Sequence, residues 1–184
     1  GAKTEIIDQH GYSLLMFSAV AGQENQAIYD YIIGLGADIE KEKDRHGRNA
    51  LLAYASGMKT GELIDYFIEK GLDVNSVDKN GNGIFNHAAK TGNQELMERL
   101  IADYKVDILK NSATNENAIL FASQRFSRSG QETDVSFYQY LENLGLDPNI
   151  ISTNGNTALQ NLASRSNSIE LFEYFVSYGI DVNQ

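Results

Sequence analysis

A triplet that returns at a nearly fixed interval constrains this chain more than any other feature. Gly36-Ala37-Asp38, Gly71-Leu72-Asp73, Gly145-Leu146-Asp147 and Gly179-Ile180-Asp181 are clear copies, and Lys105-Val106-Asp107 is a degenerate one. Their Asp residues lie 35, 34, 40 and 34 positions apart. A period of this size marks an array of supersecondary units, each burying its apolar face on its neighbours. Such an array needs no single large core, so all 184 residues can belong to one domain.

Upstream of each triplet, apolar residues recur at i, i+3 and i+4: Ile28/Tyr31/Ile32, Leu63/Tyr66/Phe67, Leu96/Arg99/Leu100, Phe137/Tyr140/Leu141 and Leu171/Tyr174/Phe175. That spacing places one apolar stripe on a helix. The Gly that follows suits a left-handed C-terminal cap. Each unit opens on a second signal, with Asp8/Gly11, Asp44/Gly47 and Asp78/Gly81 three apart, as a type I turn prefers. Ser112/Asn115 and Ser152/Gly155 are weaker copies. After each turn comes a short polar or small residue and then an apolar, Ala-containing run, as in Asn49-Ala50-Leu51-Leu52-Ala53 and Thr157-Ala158-Leu159. Ser, Asn and Thr cap helix N-termini, and Ala is the strongest helix former. The predicted unit is turn, helix, helix.

These residues resemble the ankyrin repeat family, whose unit of roughly 33 residues carries a turn, a T-P-L-H-x-A helix start and a second helix. The best copies run from Asp78-Lys79-Asn80-Gly81 to Ala88-Ala89 and from Asn154-Gly155-Asn156-Thr157-Ala158-Leu159 to Gly179-Ile180-Asp181. The resemblance implies an all-α solenoid of stacked helix-turn-helix units with short turn or β-hairpin fingers. Five units are expected at about 8–43, 44–77, 78–111, 112–151 and 152–184, within a single domain at 1–184. No unit has the family's Pro, and Met16, Asn86 and Gln160 stand where its His would be. His87 lies one position further on and so does not inherit that residue's hydrogen-bonding role. Thr4-Glu5-Ile6-Ile7 is similar to the tail of a preceding finger, and Asp181-Val182-Asn183-Gln184 stops where another would begin, which suits a segment of a longer array. Asn161 and Ser164 suit a polar capping unit equally well.

Two departures from the pattern stand out. The fourth unit carries extra residues at 125–134, between its helices, where polar loops tolerate insertion; Arg125, Phe126 and Arg128 keep a contact role open. Tyr31, Tyr66, Tyr140 and Tyr174 share one helical position, with Arg99 in the missing copy, so a row of half-buried Tyr with a stacked Arg is expected.

Function classes fall away in turn. The chain has no Cys, which removes disulfides, thiolate zinc sites and Cys nucleophiles. Its 15 basic and 25 acidic side chains leave a charge of -10, which argues against a general nucleic-acid binder. No apolar run approaches the roughly 20 residues that span a bilayer. No nucleotide, hydrolase or zincin motif occurs, so no residue qualifies as catalytic and no cofactor is expected. Asp78-Lys79-Asn80-Gly81-Asn82-Gly83 matches half of an EF-hand loop, but Ala89 stands where the bidentate Glu must be. His10 and His46 share a turn position without a third ligand in register, so no metal site is expected.

Proteins resembling ankyrin repeats bind other proteins through the concave face of turn tips and first helices. In that register the charged side chains at the outward positions are mostly basic, six against the single acid Glu116, whereas Glu62, Asp65, Glu69, Glu95, Glu98, Glu170 and Glu173 fall on the polar side of second helices. The expected protein-binding residues are Tyr12, Arg45, His46, Arg48, Lys79, Lys90, Arg125 and Arg165, a basic stripe facing an acidic partner surface with Tyr12 as an aromatic anchor. A competing account is that these cations only balance nearby acids such as Glu40 and Glu42. A monomer without membrane insertion is expected. The alternative function is an architectural spacer within a longer repeat protein.

Overall fold

The computed structural model describes residues 8, 12–109, 112–124, 134–166 and 168–179. His10, Arg125, residues 4–7 and 181–184, and all of the fourth-unit insertion except Asp134 therefore lie outside the described residues. The described chain alternates first and second helices: α1 (Leu14–Val20) and α2 (Gln26–Gly34), α3 (Ala50–Ala55) and α4 (Ile64–Glu69), α5 (Ile84–Ala89) and α6 (Gln94–Tyr104), α7 (Ala118–Ser123) and α8 (Val135–Asn143), α9 (Ala158–Ala163) and α10 (Ile169–Ser177). Among the described residues no strand occurs.

Local chemistry sets the helix ends. Ser13, Asn49, Asn117 and Thr157 each accept a backbone N–H in the first turn of a first helix, while Gly83 begins α5 without a side-chain cap. Thr157 and Gln160 complete a reciprocal capping box. Gly36, Gly71, Gly145 and Gly179 follow second helices at φ between 78° and 108°. Lys105 takes that place after α6 at φ 53°, a conformation costing a side-chain-bearing residue roughly 1–2 kcal/mol.

First helices stack in order, α1 on α3, α3 on α5, α5 on α7 and α7 on α9, and each unit's two helices also touch. Leu15, Leu51, Leu52, Ile84, Ile119 and Leu120 are buried in these contacts, each large side chain contributing roughly 1.5–3 kcal/mol. The second helices bury the outer members of their apolar triplets, as in Leu96/Leu100 and Phe137/Leu141. The middle position is not uniform: Tyr31 is 69% exposed, Tyr66 is buried, and Tyr140 and Tyr174 are half-buried. Arg99 does not stack on a Tyr ring; it donates to the Thr60 carbonyl at 3.2 Å and pairs with Asp103 at 3.8 Å. The Tyr hydroxyls instead tie units together. Tyr66 donates to Asp30 of α2 at 3.0 Å, Tyr104 to Asp65 of α4 at 2.6 Å and Tyr174 to Glu142 of α8 at 2.9 Å.

The fingers are turns closed by two backbone hydrogen bonds, rather than strand-bearing hairpins. The Asp44 N–H donates to the Arg48 carbonyl and the Gly47 N–H to the Asp44 carbonyl, with the same pair at Asp78, Ser112 and Ser152. Asp44 and Asp78 also accept two turn N–H groups through one carboxylate oxygen, and the Ser112 and Ser152 hydroxyls each accept one. Neighbouring fingers join through Lys79 N–H to His46 O (2.9 Å), Ala113 N–H to Asn80 O (2.7 Å) and Thr153 N–H to Thr114 O (2.9 Å).

Candidate protein-binding groove

Stacking brings the finger tips and the ends of the first helices to one face, and most of the expected contact residues meet there. Arg45 and Lys79 are exposed on adjacent fingers. The Lys79 ammonium donates to the Arg45 carbonyl at 2.9 Å, and Arg45 Nε donates to His46 Nε2 at 3.1 Å. His46 is exposed beside them. Neither Arg45 nor Lys79 has an acidic partner among the described residues.

Arg48 is placed differently from the outward position the register suggests. Its side chain is 11% exposed and pairs at 2.7 Å with Asp44, whose side chain is fully buried. Its two terminal nitrogens donate to Tyr12 Oη and Ser56 Oγ, both at 3.2 Å. Arg48 therefore holds the face together from beneath, and Tyr12 is half-buried as part of the same network. The cause is the turn: Asp44, fixed by two finger N–H groups, faces the arginine four residues on. Glu42 does not balance this cation; it accepts from the Ser13 hydroxyl and the Asp38 N–H.

The network continues through residues that sequence reasoning did not join. Ser56 Oγ lies 3.3 Å from His87 Nδ1, and His87 Nε2 lies 3.2 Å from Asp78 Oδ2. Contrary to expectation, His87 thus has a structural hydrogen-bonding role, linking the second unit to the turn of the third. Burial lowers its pKa, and Asp78 only partly offsets this, so the ring is neutral near pH 7. In that form Nε2–H donates to Asp78 and Nδ1 accepts from Ser56. Burial alone would raise Asp78, but hydrogen bonds from His87 and Asn82 outweigh it and hold the carboxyl at about 2. The same bonds account for the half EF-hand loop: both oxygens of Asp78 are taken up within the finger and by His87. No single sequence pattern contains this chain of contacts, because its members lie 31 and 9 residues apart.

Lys90 follows α5, half-buried, with its ammonium 4.9 Å from the Phe121 ring centroid. It borders a recess of about 330 Å³ whose walls include Arg48, Asp78, Asn80, His87 and Glu116. Burial and then the like charge of Arg48 lower the Lys90 pKa. Arg165 donates to the Gln124 carbonyl at 2.7 Å, beside the same recess-lining residue. The acids Glu62, Asp65, Glu69, Glu95, Glu98, Glu170 and Glu173 are all exposed at second helices or their starts.

A family model described as ankyrin repeats, in three copies, matches residues 85–184. No curated protein matches the chain. Among the described residues no helix is long and apolar enough to cross a membrane.

Proposed function

Because the chain belongs to the ankyrin repeat family, we propose that it captures a partner protein bearing an acidic surface, through the face formed by its fingers and first helices. Ankyrin repeats are generally protein–protein interaction modules, and the family is typically non-enzymatic. The observation that carries the finer reading is the placement of Arg45 and Lys79, exposed side by side on hydrogen-bonded fingers without acidic partners among the described residues, while exposed acids such as Glu69, Glu95, Glu98 and Glu173 lie on second helices. Complementary charge at exposed positions governs encounter and selection of partners more than final affinity. Tyr12, His46, Lys90 and Arg165 extend this surface, and Arg48 supports it from below.

Affinity purification of the intact protein with mass spectrometry, run in parallel with an Arg45→Glu/Lys79→Glu variant, tests the reading. The expected result is a partner enriched by the wild type, lost by the variant and weakened by added salt, with thermal unfolding unchanged. Equal recovery of all partners by the variant overturns it. Arg48 is left intact, because reversing its charge would break a buried ion pair and confuse unfolding with lost binding.

A further inference from the structure

We propose that the recess beside Lys90 receives one carboxylate side chain, an Asp or Glu of the partner, with the Lys90 ammonium as its ion-pairing group. This rests on the reading that the finger face binds an acidic protein surface, and it names one point of attachment.

The cations around the recess are unequal. Arg48 is matched by Asp44 at 2.7 Å and has further acceptors in Tyr12 and Ser56. His87 is held between Ser56 and Asp78. Lys79 donates to the Arg45 carbonyl. Among the described residues, Lys90 alone of these has neither a hydrogen bond nor an ion pair; its ammonium lies over the Phe121 ring, and the charges of Glu116 and Asp78 act on it only from beyond ion-pair distance. A ring face attracts an ammonium but does not accept its three protons as oxygen does. A half-buried cation is thus held in place by packing, aimed at a cavity and incompletely matched.

The cavity has room for the missing group. Its volume of about 330 Å³ far exceeds what a single water needs. Asn80 and Gln124 also line it, offering amide donors for a second carboxylate oxygen. Glu116 lines it as well, accepts from the Thr114 hydroxyl at 2.6 Å and forms no ion pair with Lys90. That resident charge sets a limit: each added negative charge meets Glu116 as well as Lys90, so a singly charged carboxylate is repelled less than a dianion such as phosphate. Burial and the like charges of Arg48 and Arg165 lower the Lys90 pKa, and Glu116 and Asp78 offset this only in part.

The full chain, isotopically labelled at lysine, is titrated with acetyl-Gly-Ser-Glu-Ser-Gly-amide, its Gln counterpart and inorganic phosphate, while the lysine side-chain NMR signals are followed. The Glu peptide is expected to move the Lys90 signal saturably and raise its pKa by about one unit, as a carboxylate within ion-pair distance does. The Gln peptide and phosphate should leave it in place. Lys90→Met should weaken peptide binding about tenfold while leaving the unfolding temperature equal or higher, since an unmatched cation gives way to a thioether of similar length. Glu116→Gln should tighten binding.

An unmoved Lys90 with a responding Lys79 overturns the recess and leaves the acidic-partner reading standing. If no lysine of the finger face responds, both fail. An equal response to phosphate overturns the single-carboxylate assignment.

Discussion

At the scale of single residues, the face is built on buried charge and hydrogen bonding rather than on exposed charge alone. The Asp44 side chain is fully buried and serves both the finger and Arg48, so Asp44→Ala strips two turn N–H groups of their shared acceptor and strands a guanidinium that is 11% exposed. A loss of about 3–4 kcal/mol is expected, measured as a fall in the urea midpoint at unchanged slope. His87 gives a pH dependence of known sign. Its folded pKa lies below the ordinary 6.5, so between those values the unfolded chain binds more protons. Its contribution is complete above about pH 6.5 and is lost on acidification, with a slope of at most about 1.4 kcal/mol per pH unit. The Asp78 contribution is lost at lower pH: the folded pKa of Asp78 is about 2, below the ordinary 3.8, so its stabilisation is present above 3.8 and disappears as pH falls towards 2. Urea titrations of the wild type and His87→Gln from pH 8 to 2 check both, because the variant should lose the first decline and, with the His87 hydrogen bond to Asp78 gone, show a weaker second one. None of this was visible in the residue pattern, where His87 stands simply one place out of register. Proximity to Ser56 depends on how one unit stacks on the next.

At the scale of elements, most of the structure was legible because caps and turns are local. Asn117 stands in sequence just before an apolar run, and in the structure it caps α7 by accepting from the Ile119 and Leu120 N–H groups. Its Nδ2 also donates to the Asp147 carbonyl, a contact to the far end of the same unit, 30 residues on, that no cap signature contains. Asn117→Ala should therefore cost about 2 kcal/mol, roughly twice a cap alone, read from thermal or urea unfolding. The close pairing of α1 and α3 depends on a backbone approach that the sequence shows only as two glycines. Gly22 sits at φ 64°, and a Cβ there would lie 2.1 Å from the Gly57 carbonyl oxygen. Gly22→Ala should be destabilising by at least about 1–3 kcal/mol, with the greatest loss of amide protection around α1 and α3 in hydrogen exchange. The Asn115 finger shows the limit of turn patterns: it adopts φ 55° where Gly47, Gly81 and Gly155 stand in other fingers. The turn survives because Asn tolerates this region better than other side-chain-bearing residues.

At the scale of the whole molecule, charge is sorted by the stacking direction. A net charge of -10 coexists with exposed cations at the fingers, while acids such as Asp65, Glu69, Glu95, Glu98, Glu170 and Glu173 lie exposed on second helices. Some second-helix acids also work between units: Asp30, Asp65 and Glu142 accept hydroxyls from the following unit's Tyr66, Tyr104 and Tyr174. A single hydrogen bond to a surface carboxylate contributes modestly, so Tyr66→Phe, which keeps the buried ring, should cost about 1 kcal/mol, whereas Phe67→Ala in the buried layer should cost about 3–5 kcal/mol. Comparing the two in urea denaturation separates surface ties from the core.

The sequence alone determined the period, the alternation of first and second helices, most of their caps and the family. These follow from residues within one unit, whose spacing and turn chemistry act over a few bonds. The side of the chain on which the cations fall was also legible, because repeat register is itself periodic. Only the tertiary structure decided what each cation does. It set Arg48 beneath the surface on Asp44, bound His87 between two units, left Arg45 and Lys79 exposed, and left Lys90 facing a cavity without an ion pair among the described residues. Burial and charge pairing depend on what the next unit brings alongside, a distance of 30 or more residues along the chain and a few ångströms through space.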